Sequence, residues 1–200
     1  AEMKKRKTSA GPLLIPTLAQ LEAELQRETK SKHLRRILRS TIFNLVTVAA
    51  AAILVSTLLI PVLRIYGTSM FPTVVDGDIV VSLKESSFSQ GDLIAFYYNN
   101  KILVKRVIAL PGQWVDIDSQ GNVNVDGVAL EEPYLSEKAL GECDIQLPYQ
   151  VPDGRLFVMG DNRATSVDSR STVVGCVSEE QIVGKLVFRV WPVTGFGTLR

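Results

Sequence analysis

The stretch from Thr41 to Leu63 constrains this chain most, because none of its residues is charged. A helix needs about 20 apolar residues to cross the roughly 30 Å hydrocarbon layer of a bilayer, and only a helix satisfies its own backbone polar groups there. We therefore predict a transmembrane helix over residues 41–63, with Pro61 near its far end, where the interface tolerates a broken hydrogen bond. A buried helix of a soluble protein is the alternative, although such helices rarely stay uncharged for so long.

Charged residues are distributed unevenly on the two sides of this stretch. Residues 1–40 carry ten basic and four acidic side chains, whereas residues 64–200 carry twelve basic and seventeen acidic ones. Because basic residues beside a transmembrane helix stay in the cytoplasm, we predict that residues 1–40 form a basic cytoplasmic segment. Residues 64–200 then form an extracytoplasmic domain of a single-pass cell-membrane protein. A cleaved signal peptide fits poorly, because the apolar run is long and starts late.

The remainder of the chain shows the short alternating runs that are typical of β-strands, separated by Gly, Asp and Asn. We predict a mainly β fold: an antiparallel, barrel-like domain with a smaller β-rich lobe at about residues 113–152, preceded by one N-terminal transmembrane helix. A turn is expected at Asp126-Gly127. The predicted strand regions are residues 78–83, 92–98, 101–110, 114–118, 122–130, 155–159 and 185–191.

The only histidine, His33, precedes the apolar stretch and lies outside the predicted β domain. A Ser-His-Asp triad, a Cys-His pair and histidine-bound zinc are therefore excluded within that domain. Cys143 and Cys176 are too few and too widely spaced for a structural zinc site, and they form either a disulfide or two free thiols. We expect no metal and no cofactor, which leaves serine or carboxylate chemistry.

Two segments supply candidate reactive groups. Ser69 lies in the run Gly67–Pro72, where glycine permits close backbone approach and proline restrains the chain. Lys105 lies on the apolar face of the strand predicted at 101–110, and burial lowers a lysine pKa so that the neutral amine can accept a proton. Taken singly, an ordinary turn at Ser69 and a lysine that extends to solvent beside Arg106 are the simpler interpretations.

A dense polar loop follows the strand predicted at 155–159. Its charged side chains could brace the loop through charge-assisted hydrogen bonds, and one of its serines could orient a neighbouring amine. A solvated turn is the alternative. The charged residues are Asp161, Arg163, Asp168 and Arg170, and the serines are Ser166 and Ser169.

In their order and spacing, these segments resemble the motifs of bacterial type I signal peptidases, the family of serine-lysine dyad proteases. The likeness covers residues 41–192 and implies a membrane-bound serine endopeptidase. Such an enzyme removes N-terminal signal peptides through a Ser69/Lys105 dyad and an acyl-enzyme. The matching motifs are Gly67 to Thr73, Lys105-Arg106-Val107 with Leu110-Pro111-Gly112, Gly160 to Arg170, and the turn Gly91-Asp92.

The resemblance also implies supporting roles. Ser166 would position the lysine amine, while Asp168 and Arg170 would hold the architecture of the site. Some members carry a serine two positions before the nucleophile that helps to bind the oxyanion, but this chain has Gly67 there. Backbone amides, including that of Ser69, would then carry more of this stabilisation.

The partners that the resemblance implies are secretory preproteins with small residues one and three positions before the cut. A lipid bilayer is the second partner, and neither nucleic acid nor metal is expected. The substrate would bind as an added strand between strands of the protease.

Two other functions fit parts of the sequence. A self-cleaving serine-lysine protease of the repressor type has a similar catalytic β fold, but its N-terminal region would bind DNA, and the uncharged stretch argues against this. An anchored β module that binds an exported partner is the non-enzymatic alternative. Penicillin-binding chemistry is disfavoured because the chain contains no Ser-x-x-Lys.

Overall fold

The protein is described by a computed structural model that covers residues 17–59 and 61–199, without the side chains of residues 55–59. Residues 1–16 of the predicted basic segment and residue 60 of the predicted anchor lie outside the described residues. The chain divides into two compact units, of which the first ends at Leu54 and the second begins at Val55.

One continuous helix, α1, runs from Leu18 to Leu59. At its start the Gln20 side chain accepts a hydrogen bond from the Thr17 amide at 3.1 Å, which is half of a capping box. Every described side chain from Leu18 to Leu54 is exposed, and this part of the helix is long and apolar enough to cross a membrane. Exposure of so many apolar side chains fits a lipid environment better than water.

Helix α1 ends at Leu59 and Val62–Arg64 forms a β-strand, so the helix ends four residues before the predicted boundary at residue 63. Pro61 lies between the two elements, and a proline lacks the backbone N–H that a continuing helix would need. Beyond the proline, Val62 pairs with Val81 of the next strand. The first β-strand therefore begins two residues before residue 64.

Within residues 61–199, twelve antiparallel strands form two sheets. The only helical turns after α1 in the described residues are two three-residue 3-10 turns, Glu179–Gln181 and Val193–Gly195. The predicted fold class, mainly antiparallel β with one N-terminal apolar helix, is thus confirmed. In chain order the strands are β1 (Val62–Arg64), β2 (Ile79–Leu83), β3 (Leu93–Tyr98), β4 (Lys101–Ala109), β5 (Trp114–Ile117), β6 (Val123–Val125), β7 (Val128–Ala129), β8 (Tyr149–Gln150), β9 (Arg155–Met159), β10 (Val177–Ser178), β11 (Ile182–Trp191) and β12 (Gly197–Thr198).

The large sheet has the order β1-β2-β11-β3-β4-β9-β10, with β12 on β11. Strand β4 lies inside it, between β3 and β9, and its residues from Lys105 to Ala109 are buried. Arg106 stands opposite Met159, the last residue of β9. This register brings the polar loop that follows β9 next to the Lys105-Arg106 pair.

The small sheet has the order β7-β6-β5-β8 and lies within residues 114–150. Strands β6 and β7 form a hairpin whose two turn residues, Asp126 and Gly127, have φ values of 52° and 79°. Two successive left-handed residues match the twist of a tight hairpin, which Asp-Gly favours. Buried valines and isoleucines of this sheet pack against Phe157 and Met159 of β9 in one apolar cluster.

Candidate active site

Lys105 is buried in the centre of the large sheet, with 3% of its surface exposed. Its Nζ donates a hydrogen bond to Ser166 Oγ at 2.9 Å. Burial lowers the pKa of Lys105 to about 8, and this effect outweighs the nearby Asp168 carboxylate, which raises the pKa. A large fraction of the amine is therefore neutral in mildly alkaline solution, as a general base requires.

Ser69 lies in the irregular segment between β1 and β2 and is half-buried. Its carbonyl oxygen accepts a hydrogen bond from the Asn162 amide at 3.0 Å, and the preceding Thr68 carbonyl accepts one from the Asn162 side chain at 3.3 Å. The Ser69 backbone is therefore attached to the start of the polar loop that also carries Ser166.

A groove of about 740 Å³ opens beside Ser69. It runs between the segment from Val62 to Met70 and the start of β4 at residues 100–104, and most of its surface is apolar. An extended apolar peptide segment could enter it and reach the serine, since clefts of this size and lining bind ligands of that kind.

The candidate site has a serine half, around Ser69, and a lysine half, made of Lys105 and Ser166. Gly160 lies where the two halves meet. A Cβ atom at this position would lie 2.2 Å from Ser166 Oγ and 2.5 Å from the Ser69 carbonyl oxygen. Neither neighbour could tolerate that contact without moving. The absence of a side chain at residue 160 therefore allows Ser166 and the Ser69 backbone to approach each other.

Asp168 and Arg170 form a buried bidentate ion pair, with Nε–Oδ1 and Nη2–Oδ2 distances of 2.9 and 2.8 Å. Asp168 also accepts the Gly160 amide at 2.9 Å. Burial acts to raise the pKa of Asp168, but the hydrogen bonds and charge of Arg170 outweigh it and hold the pKa below its ordinary value. The pair thus connects Gly160, at the start of the polar loop, to the end of the loop.

Asp161 has a partner that the sequence analysis missed. Arg106 binds its carboxylate through Nε at 2.9 Å and Nη2 at 2.7 Å, while the Thr73 hydroxyl donates to the same carboxylate. Arg106 Nη1 also donates a hydrogen bond to the Gly91 carbonyl at 2.8 Å. This bond connects the Gly91-Asp92 turn to the Arg106–Asp161 pair. Arg106 is itself buried, with 1% of its surface exposed.

Arg163 is paired with Glu132, another residue outside the predicted site. Both side chains are fully buried, and both terminal nitrogens of Arg163 donate to the Glu132 carboxylate. Glu132 lies in the irregular segment that follows β7, 31 residues before its partner. In the sequence, the only sign of an ordered turn at Glu132 is the Pro133-Tyr134 pair that follows it.

Gly67 has a φ of +88°, a conformation that favours glycine, and its amide donates to Asp76 Oδ1 at 2.8 Å. Its N–H is therefore already engaged in the protein. A Cβ at this position would meet nothing within 4 Å, so backbone conformation, not space, accounts for the glycine.

The sequence also singles out His33, Cys143 and Cys176. His33 is an exposed residue of α1, in the other unit of the chain. Cys143 and Cys176 are free thiols, and burial raises the pKa of Cys176. Within residues 17–59 and 61–199, no group of His, Cys, Asp or Glu side chains is arranged to hold a metal ion.

Comparison with known proteins identifies the family. Residues 38–191 match the family model described as signal peptidase, peptidase S26. A probable signal peptidase I-1 of Synechocystis is 39% identical over 146 residues, which cover 66% of this chain and 71% of that protein. Signal peptidase IB of Staphylococcus aureus is 36% identical over 152 residues, which cover 66% of this chain and 78% of that protein.

In two further matches the aligned region covers a smaller share of one of the two chains. The chloroplastic thylakoidal processing peptidase 1 of Arabidopsis thaliana is 34% identical over 163 residues, covering 73% of this chain and 46% of that protein. A crystal structure of a signal peptidase I from Enterococcus faecalis has a TM-score of 0.45 and 29% identity, covering 52% of this chain and 99% of that one.

The family match and the named relatives show that this chain is a serine peptidase. This chain belongs to the signal peptidase family, peptidase S26. It is therefore a hydrolase of the signal peptidase I type, whose activity is the removal of signal peptides from secretory preproteins.

Proposed function

We propose that Ser69 is the nucleophile and Lys105 the general base of this peptidase. The observation that carries the proposal is the state of Lys105: its amine is buried, its pKa is lowered to about 8, and it donates to Ser166 Oγ at 2.9 Å. A lysine held in this way is poised to gain and lose a proton near neutral pH. Ser166 orients the amine, and the Asp168–Arg170 pair supports Ser166 through Gly160.

Acylation begins when neutral Lys105 takes the proton of Ser69 Oγ while this oxygen attacks the scissile carbonyl carbon. The tetrahedral intermediate collapses as the carbon–nitrogen bond breaks, and the new amino terminus leaves with the proton from Lys105. Neutral Lys105 then removes a proton from a water molecule, which attacks the ester carbonyl carbon. The bond between this carbon and Ser69 Oγ breaks, Lys105 returns the proton to Ser69 Oγ, and the signal peptide is released. One amine thus serves both halves of the reaction.

Negative charge on the carbonyl oxygen needs a donor in both tetrahedral intermediates. The Gly67 amide already donates to Asp76, so it is poorly placed for this task. We assign the role to the Ser69 amide, which makes no hydrogen bond to the protein within the described residues. One such donor contributes on the order of 3 kcal/mol to the stability of the transition state.

Substrates are preproteins with small residues one and three positions before the cut, bound as an extended strand in the groove beside Ser69. The groove is lined by Met70, Leu103 and Val104, which suits short apolar side chains. Alternate residues of an extended peptide point to the same side, which gives a preference at positions one and three.

Replacement of Ser69 by Ala and, separately, of Lys105 by Ala should each abolish cleavage of a preprotein in detergent. The first change removes the attacking oxygen and the second removes its base, so kcat should fall by at least about 1000-fold in both. Sequencing of the wild-type product locates the cut, and gel-based turnover measures the rate. The wild-type rate should rise with pH through about 8, where Lys105 loses its proton.

Matched controls use exposed residues of the same types. Ser87→Ala and Lys84→Ala lie on the surface of the β domain and should retain full activity. Turnover by Ser69→Ala or Lys105→Ala at the level of these controls would disprove the dyad. Failure of the wild-type protein to cleave any preprotein would instead favour the non-enzymatic module.

We also propose that the apolar part of α1 anchors the protein in the cell membrane, with the N-terminal segment in the cytoplasm and the β domain outside. The support is its length, its hydropathy and the basic residues that precede residue 41. Ser69 follows the last helical residue by only ten positions, so a tethered preprotein would meet the site at high effective concentration.

The chain should therefore remain in membranes washed with alkaline carbonate. Protease added to spheroplasts should digest the β domain and spare an epitope tag at the N-terminus, whereas detergent should expose both. A carbonate-soluble protein would instead favour the self-cleaving protease of the repressor type, and protection of the β domain would reverse the orientation.

A further inference from the structure

The segment between β7 and β8 has no regular strands, yet it contributes a fully buried carboxylate. The exposed fraction of the side chain is 0% for Glu132 and 1% for its partner Arg163. A buried charge of this kind is costly unless its partner and further hydrogen bonds hold it in place. Glu132 has both, since Tyr134 donates its hydroxyl to Oε1 at 3.1 Å.

Arg163 links Glu132 to the backbone at Gly160. Its Nε donates to the Gly160 carbonyl at 3.2 Å, while the amide of the same glycine donates to Asp168 at 2.9 Å. Two buried ion pairs therefore hold the peptide groups on the two sides of this residue. Gly160 also lies against both Ser166 and Ser69, since a Cβ at this position would be 2.2 Å from Ser166 Oγ and 2.5 Å from the Ser69 carbonyl oxygen.

Tyr134 makes the second connection from the same segment. Its ring packs against the guanidinium of Arg106, with 3.8 Å from Arg106 Cζ to the ring centroid. Arg106 in turn holds the Asp161 carboxylate through two nitrogens. The sequence Glu132-Pro133-Tyr134 thus contacts both buried arginines that brace the first residues of the polar loop.

We propose that Glu132 is a positioning residue for peptide-bond cleavage. By fixing Arg163, it sets the Gly160 backbone and hence the placement of Ser166 and the Lys105 amine relative to Ser69. The role is geometric, because the charged groups that shift the pKa of Lys105 are Asp168, Arg170 and Asp161, not Glu132. This inference rests on the proposed Ser69/Lys105 dyad.

The test compares Glu132→Gln with wild type in the full-length, detergent-solubilised protein. Glutamine keeps the shape but removes the charge and leaves Arg163 without its counter-ion. We expect kcat to fall by about 100-fold, the order of loss that a displacement of about 1 Å produces. KM should not change, because Glu132 does not line the groove beside Ser69. The pH at which the rate is half-maximal should also stay the same.

A double variant separates positioning from stability. In Glu132→Gln with Arg163→Met the unpaired buried charge is gone, so thermal stability should recover towards wild type. The Arg163 contact to the Gly160 carbonyl is still missing, so kcat should stay low. If kcat of the double variant recovers together with its stability, the ion pair only stabilises the fold and the proposal is overturned. The double variant gives this answer even if the Glu132→Gln variant does not fold.

Glu131→Gln is the matched control, because it makes the same charge change at the adjacent, exposed residue. It should keep wild-type kcat and thermal stability. A folded Glu132→Gln enzyme with the kcat of this control would also refute the role. Failure of the dyad itself would appear differently, as turnover by Ser69→Ala.

Discussion

The two halves of the candidate site differ in almost every physical respect. Lys105 lies on a strand inside the large sheet and is 3% exposed, whereas Ser69 lies in an irregular segment and is half-buried beside an open groove. Lys105 is therefore shielded from solvent, and Ser69 is accessible from the groove. The difference fits the chemistry, because a lysine becomes a base only when it is desolvated, while a nucleophile must meet its substrate.

Each half is also held by different interactions. The Lys105 half depends on side-chain ion pairs, above all Asp168–Arg170, which stay intact only while they are buried. The Ser69 half is attached by backbone hydrogen bonds, such as that from the Asn162 amide to the Ser69 carbonyl. The halves are joined at Gly160, whose missing side chain brings Ser166 and Ser69 together.

Replacing Gly160 by Ala tests this junction most directly. The added methyl group would overlap both Ser166 Oγ and the Ser69 carbonyl oxygen, so the halves would separate. We expect kcat/KM to fall by about 100-fold through misplacement of the reacting groups. Preprotein cleavage measures the loss, and thermal unfolding shows whether the fold survives.

The control for Gly160→Ala is Ala164→Ser, which also adds one heavy atom to the same loop but at an exposed position. Its activity should equal that of the wild type. Comparable activities of the two variants would mean that the halves of the site are not joined at Gly160.

The sequence predicted the long strands of the fold but not all of the short ones. Alternation and turn residues identified all the longer strands, including the hairpin at Asp126-Gly127, because these signals are local. The strands that were missed are β1, β8, β10 and β12, each of two or three residues. So short a strand has no detectable periodicity and exists only because a neighbour supplies its hydrogen bonds.

Within the candidate site, local reasoning singled out Ser69 and Lys105 but not the partners of the buried charged residues around them. Lys105 could be placed on the apolar face of a strand, and its burial follows from that alternation. The same alternation puts Arg106 on the opposite face, yet it too is buried, because Asp161 neutralises it. Pairs such as this one and Glu132–Arg163 join residues far apart in sequence, so no local pattern indicates them.

Lys105→Met tests whether the two halves really differ in burial. The pKa of Lys105 is about 8 in the folded protein and 10.5 without burial, so between these values the unfolded chain binds more protons. The free energy of unfolding of the wild type therefore rises with pH across this window. The contribution of Lys105 to this free energy is least favourable below pH 8. The methionine variant lacks this dependence and should gain most over wild type at pH 7.

From pH 7 to pH 10 the advantage of Lys105→Met should shrink by roughly 2 kcal/mol, the effect that such a pKa difference produces. Urea unfolding in detergent can be followed by the fluorescence of Trp114 and Trp191, both in the β domain. Lys84→Met, at an exposed position, should show no such pH-dependent difference. If the difference in unfolding free energy between Lys105→Met and wild type stayed constant from pH 7 to pH 10, burial would not affect the protonation of Lys105. The contrast in burial between Lys105 and Ser69 would then disappear.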